Sequence, residues 1–390
     1  MIRSKKNMRF IILRDVLFQA LSITNKIVPS SSSNPALLSN LIRVSSKGLE
    51  IQATDGTISA KLSIPLKDEK DNVNLEVMEE GDFLVSAKCL FDMIYKFDTK
   101  KITFNMVDSN YLSVYDSSTS FNIYTRDSKD FPILGFDLSE DNNSFKAKIS
   151  DIKKLFDKTS FAVATKGSKD MFLGIDITAR NGKLYFLATD SYRMARYAIK
   201  SESESAKFDF ICPVKALSII SSLTEDKEVK VIFDNQRSIF KTDDLIIATR
   251  LYQGEFPSPD RIIPSSFAYS ISFNTENFLK SIDKVRILAA YETKTPICKL
   301  TISKETGVTL SSHSEGNGEC KDILKDCEIM MPENEEVFEI GFNIEYVCQS
   351  IKALGSEKST LVFSSPVRMF MAKNDDEENI QILTPVRISR

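Results

Sequence analysis

The chain has 390 residues, 42% hydrophobic and 27% charged, with a formal net charge of −3. This length exceeds one ordinary core and predicts two to four domains at roughly 100–200 residues each, three being the middle value. No apolar run reaches the roughly 18 residues of a membrane span, so the composition reads as soluble and globular and excludes a helical membrane protein.

In chain order, the basic opening "MIRSKKNMRF" leads into an amphipathic pattern rather than an apolar stretch with a cleavage site, which argues against export. "RDVLFQALSITNKI" predicts a helix with Leu17, Leu21, Thr24 and Val28 inward and Asp15, Gln19, Ser22 and Lys26 outward. "GLEIQAT" follows as a strand, "SAKCLFDMIYKF" as a second helix, and "KITFNM", "YLSVYD" and "SFNIYT" as further strands. "DFPILGFDLSEDNNS", near residues 130–144, reads as a linker.

The same series then begins again. "SDIKKLFDKTSFAV" predicts a helix with Ser150 as its N-cap, Ile152, Leu155, Phe156 and Thr159 inward, and Lys153, Lys154, Asp157 and Lys158 outward. "GKLYFLAT" is a strand, "CPVKALSIISSL" a helix, and "KVIFDN", "SIFKTD" and "LIIATR" are strands, followed by the linker "FPSPDRIIPSS" near 256–266. A third series opens with "TENFLKSIDKVRIL", which turns Phe278, Leu279 and Ile282 inward and Lys280 and Lys284 outward. It continues with the strand "GVTLSS" and the helix "GFNIEYVCQSIKAL". Leu90, Leu217 and Val347 align at steps of 127 and 130 residues (217 − 90 and 347 − 217). Three copies of one unit, each with two helices on a mainly antiparallel sheet, predict an α+β fold with domains at 1–135, 145–264 and 265–390.

"ATD" at Ala53–Asp55 recurs at Ala188–Asp190, 135 residues later (190 − 55). The Asp is best read as a turn former whose carboxylate accepts backbone N–H groups. A nucleophile at Ser191 would need a base, and the one histidine, His313, stands in another repeat in the polar loop "SSHSEGNGEC". That loop fits no zinc spacing, and Cys89, Cys212, Cys298, Cys320, Cys327 and Cys348 include no C-x-x-C pair, so they read as reduced thiols and no cofactor is expected. Outward lysines are concentrated on the paired helices, including Lys88, Lys96, Lys154, Lys158, Lys215 and Lys352, while acids gather in loops such as "DEKD" and "NDDEEN". Such lysines are ordinarily solvated. At −3 overall, contact with nucleic acid would require a local basic face.

"DFPILG", "ATDSYRMA", "ICPVKAL", "FEIGFNIEYVCQSIKAL" and "TPVRI", in this order, resemble the bacterial DNA polymerase III beta subunit family, the replicative sliding clamps, from Met8 onward. The resemblance implies a head-to-tail homodimeric ring of three-domain chains with helices lining the hole, a non-enzymatic processivity factor encircling double-stranded DNA. It implies the replicative polymerase, a clamp loader and other peptide-bearing proteins as partners, and a cytoplasmic, nucleoid-associated location. A non-ring binding scaffold of the same fold is the alternative.

Carried over by residue, the partner-peptide cleft is Leu173, Thr189, Ser191, Tyr192, Arg193, Met194, Pro257, Arg261, Ile262, Pro385, Val386, Arg387 and Ile388. The DNA contacts are Lys88, Lys96, Lys154, Lys158, Phe172 and Lys215, with Lys166 and Lys169 standing in for a family arginine that is absent near Ser31. The dimer contacts are Phe121, Ile123, Ile287 and Leu288. The chain departs from the family at Ser191-Tyr192, commonly Gly-His, and in the added Ser389-Arg390. Residues 1–7, upstream of the resemblance, read either as a misassigned start or as a basic tail.

Overall fold

The computed structural model describes residues 8–108, 110–139, 143–166, 169–292 and 295–388. The expectations for residues 1–7 and for Ser389-Arg390 lie outside these residues. Six α-helices are present among them: α1 (Arg14–Ile27), α2 (Ala87–Lys96), α3 (Ile149–Thr159), α4 (Val214–Ser221), α5 (Thr275–Glu292) and α6 (Ile344–Leu354). They alternate with antiparallel strands in four sheets, and two helices fall in each of the three repeats.

The described residues form two compact units, Met1–Ile149 with Ser218–Leu251, and Ser150–Leu217 with Tyr252–Arg390. Three repeats give two units because the sheets cross the repeat boundaries. In the first unit, Leu245–Arg250 of the second repeat pairs with Ile58–Ile64 of the first, making one eight-stranded sheet. In the second unit, Arg193–Lys200 of the second repeat pairs with Ile380–Leu383 of the third, within a nine-stranded sheet. A five-stranded sheet ending at Ser120–Tyr124 completes the first unit, and a four-stranded sheet ending at Gly318–Leu324 completes the second.

Burial follows the amphipathic stripes, with local shifts. Leu17, Ala20, Leu21, Thr24 and Ile27 face the core from α1, whereas Val28 is the half-buried residue that ends the helix. Ser150 is not the cap of α3, because the helix already starts at Ile149, whose N–H donates to Lys227 O at 3.0 Å. On α5, Phe278, Ser281, Ile282, Val285 and Ala289 are buried, and Leu279 packs half-buried against the same core. The polar stretch around His313 is not a loop. It is a hairpin in which Ser312 faces Cys320 and His313 faces Glu319, since alternating Val308, Leu310 and Ser312 carry the strand inward on one side. The second linker is packed as well: it holds a 3-10 turn, Pro259–Arg261, and its Phe256, Ile262, Ile263 and Phe267 lie on an apolar cluster.

Asn343 caps α6 strongly, its Oδ1 accepting the Glu345 and Tyr346 N–H groups at 2.8 and 3.3 Å, and Gly355 ends the helix in the left-handed region at φ 66°. Replacing Asn343 by Ala strands both N–H groups. The denaturant midpoint should fall by an amount equivalent to about 1 kcal/mol, against little change for Asn277→Ala on the exposed start of α5.

Candidate partner-binding cleft and basic helix faces

The two Thr-Asp turns share one set of hydrogen bonds. Asp55 Oδ1 accepts from Thr57 N and Ile58 N at 2.9 and 2.8 Å, and Asp190 Oδ1 accepts from Tyr192 N and Arg193 N at 2.9 and 3.0 Å. Thr54 and Thr189 donate their hydroxyls to Ile58 O and Arg193 O at 2.9 and 2.6 Å. The repeated aspartate is thus a turn former. Each turn needs one left-handed residue: Gly56 at φ 93° in the first copy and Ser191 at φ 77° in the second. Serine holds that conformation at a cost of about 1 kcal/mol that glycine avoids.

Beyond the second turn lies a cavity of about 220 Å³, lined by Thr189, Ser191, Tyr192, Arg193, Met194, Pro257 and Ile262 of the expected cleft. Phe172, Met369, Ile382, Leu383 and Thr384 complete the lining. Met194 and Ile382 of this lining belong to an apolar cluster with Leu187, Val362 and Met371. Met194 lies opposite Ile382 in the strand pairing, which brings the last repeat to the turn of the second. Thr384 fixes the rim by donating both its N–H and its hydroxyl to Tyr192 O, at 2.9 and 2.8 Å.

Within this lining, Tyr192 and Arg193 differ in availability. Tyr192 is 62% exposed, its ring 6.5 Å from that of Tyr346. The Arg193 side chain is only 9% exposed, and its Nε donates to Asp190 Oδ2 at 3.0 Å. Its Nη1 donates to Gln349 Oε1, and its guanidinium lies over the rings of Tyr346 and Phe161 at 4.3 and 5.3 Å. Arg193 therefore stiffens the turn from beneath. Burial, with Asp190 nearby, raises the Tyr346 hydroxyl above its ordinary pKa.

Six expected cleft residues are not in the cavity wall. Leu173 follows Phe172 in the turn Asp170–Leu173, and Arg261 is exposed at the end of the linker turn. Pro385, Val386, Arg387 and Ile388 leave the cavity after Thr384, because Val386 N donates to Gly341 O at 2.8 Å. Gly341 permits this approach; a Cβ there would stand 2.6 Å from both Val386 O and Ile388 Cγ1.

The basic residues divide similarly. Lys88 and Lys96 are exposed on α2, with Lys96 Nζ 5.4 Å from the Tyr95 ring. Lys154 is exposed on α3, 5.3 Å from the Tyr197 ring, and a bond with the Tyr197 hydroxyl raises its pKa. Lys158 is drawn inward instead: its Nζ donates to Leu354 O, the last carbonyl of α6, at 2.7 Å, and burial lowers its pKa. Lys166 and Lys169 are exposed, and Lys215 is half-buried on α4. Phe172, expected at DNA, lines the cavity and meets Phe256 edge-on at 5.7 Å. Lys280 and Lys284 are engaged by Glu276 and Asp322 at 2.6 and 2.9 Å.

Of the expected dimer contacts, Phe121 and Ile123 are half-buried on the edge strand Ser120–Tyr124, with Phe121 5.4 Å from Phe97. On α5, Ile287 is 63% exposed and Leu288 half-buried. Among the described residues no group of His, Cys, Asp or Glu could hold a metal ion, and no helix is long and apolar enough to cross a membrane.

Three repeated α+β units joined through shared sheets, with an apolar cleft at the second turn, define the class of three-domain clamp proteins. Family models describing the N-terminal, central and C-terminal domains of the DNA polymerase III beta subunit match residues 8–135, 147–258 and 260–387. The chain belongs to the DNA polymerase III beta subunit family. It is similar to the beta sliding clamp of Streptococcus pneumoniae strain R6, 28% identical over 383 residues, covering 97% of this chain and 99% of that one. The crystal structure of the DNA polymerase III beta chain from Streptococcus pneumoniae TIGR4 is 27% identical with a TM-score of 0.89, covering 98% and 100%. The Bacillus subtilis sliding clamp structure shares the fold at 23% identity and a TM-score of 0.88, with the same coverage.

Asp176, opposite Leu187 of the apolar cluster beside the cleft, is 8% exposed, and burial pushes its carboxyl up to about 6 against a hydrogen bond from Thr178. A raised carboxyl pKa favours the folded state below the unfolded value of 3.8, an advantage lost as pH rises through about 6. Asp176→Asn should therefore be more stable than the parent by on the order of 2 kcal/mol at pH 7 to 8, and level with it near pH 4, in urea titrations across pH.

Proposed function

We propose that the chain works as a DNA sliding clamp: a processivity factor, itself non-catalytic and without a cofactor, that encircles double-stranded DNA and tethers the replicative polymerase. The observation that carries the ring is the pattern of sheet edges. The last strands of the second and third repeats, Leu245–Arg250 and Ile380–Leu383, each pair with the third strand of a hairpin series in a neighbouring repeat, Ile58–Ile64 and Arg193–Lys200. The corresponding strands left over are Ser120–Tyr124 and Gly318–Leu324, which end their sheets among the described residues. Two cognate edges on one chain fit head-to-tail pairing with a second copy, closing a two-fold ring and removing both exposed edges. Phe121 and Ile123 on one edge, and Ile287 and Leu288 on the helix packed over the other, would form its apolar seam.

In this reading the domains are 1–135, 145–264 and 265–390. DNA is held loosely, without sequence preference, through Lys88, Lys96, Lys154, Lys166, Lys169 and Lys215. Weak phosphate attraction suffices because topology supplies retention. The cleft around Tyr192 and Met194 takes short apolar peptides from the polymerase, a clamp loader and other partners, and the location is cytoplasmic, at the nucleoid. Methionine in the lining suits one groove to several sequences.

Retention on nicked circular DNA, lost when the circle is linearised, is the decisive measurement; retention that survives linearisation, or none on circles, would reject encirclement. Ile287→Ala with Leu288→Ala should give a folded monomer by light scattering, since each large apolar side chain is worth about 1.5–3 kcal/mol and a two-fold ring loses both seams. Lys88→Gln with Lys154→Gln should flatten the salt dependence of DNA binding by about 0.9 per lost phosphate contact, leaving peptide binding unchanged.

A further inference from the structure

The cleft wall carrying Pro257 and Ile262 belongs to a segment with little regular structure, a single 3-10 turn at Pro259–Arg261. Apolar packing on one side does not fix where such a segment stands along the sheet. Its side-chain polar contacts with the sheet converge on Asp260, which lies between Pro257 and Ile262 and is 60% exposed. Its Oδ1 accepts from Arg196 Nη1 at 3.3 Å and its Oδ2 from Arg180 Nη2 at 3.5 Å. Both guanidiniums lie over the Tyr185 ring, at 5.4 and 5.2 Å from its centroid. The Arg196 side chain is only 13% exposed, and in the strand pairing Arg196 stands opposite Leu187 and Ile380, residues of the cleft's apolar cluster. The strands that build the cluster thus also carry the charges that hold the wall.

We infer that Asp260 is a positioning residue for the cleft: bridged between Arg180 and Arg196, it sets where the Pro257–Ile262 wall stands and so the affinity for an apolar peptide. The inference rests on the cleft reading proposed above. It has a consequence that apolar contact alone does not. Raising sodium chloride from about 0.1 to 1 M shortens the screening length from roughly 10 to 3 Å, which weakens exposed ion pairs and strengthens apolar burial. An electrostatic latch makes binding of an uncharged peptide weaken with salt.

The test uses the full chain and a capped, uncharged peptide rich in Leu and Phe, followed by calorimetry. Asp260→Asn should lower affinity about three- to five-fold at low salt and remove the weakening with salt, leaving binding that holds level or tightens as salt rises, with Asp260→Glu restoring the parent behaviour in part. Arg196→Gln should add little to Asp260→Asn, because both remove the same bridge. Backbone hydrogen exchange across 256–266 should quicken in Asp260→Asn without peptide. Wild-type binding with Asp260→Asn unchanged in affinity, salt response and exchange overturns this inference alone. A wild-type chain that binds no such peptide overturns the cleft reading, and this inference with it.

Discussion

Backbone pairing between strands far apart in sequence is the interaction on which everything else in this chain rests. A strand edge presents unpaired N–H and C=O groups that must find partners. Here Leu245–Arg250 finds them on Ile58–Ile64, and Arg193–Lys200 on Ile380–Leu383. The helices only have to cover one face of these sheets, which their stripes of Leu17, Leu90, Leu155, Leu217, Ile282 and Val347 do. The second of these pairings also makes the cleft, since it sets Met194 beside Ile382 and ties Thr384 to the carbonyl of Tyr192.

The turn at Asp190 shows how a scaffold device acquires a second use. Its first copy at Asp55 reverses the chain with glycine in the left-handed position. The second copy keeps the carboxylate-to-backbone bonds and accepts a strained serine at 191, followed by an exposed tyrosine, a nearly buried arginine and a buried methionine. Arg193 spans from the turn to α6 through Tyr346 and Gln349, so the turn is rigid where the aromatic wall rises from it.

Helices and most strands were legible in the sequence because amphipathic periodicity is local: a stripe such as Phe278, Ile282 and Val285 needs no partner to be recognised. The turn at Thr189-Asp190 was legible for the same reason, as Asx bonding spans three residues. What escaped was long-range. Nothing near Met369, Ile382 or Thr384 announces that these residues meet a turn almost two hundred positions upstream, and the path of Pro385–Ile388 depends on Gly341 leaving room for it. Side-chain reach was hidden as well. Lys158 sits on the outward side of its helix pattern, yet a four-carbon stem lets its ammonium turn back to the Leu354 carbonyl.

The thioethers of the cleft carry a chemical liability of their own. Met194 and Met371 are buried in the apolar cluster at 5% and 8% exposure, while Met369, which lines the cavity with Met194, is half-buried and the more accessible of the three. Conversion of Met369 to its sulfoxide would place a strong dipole in a wall whose neighbours Ile262 and Ile382 offer it no hydrogen bond, and the softness that lets the groove adapt would become polarity. In the cleft reading proposed above, peroxide would act on recognition through Met369, and a reductase acting on the sulfoxide would reverse it.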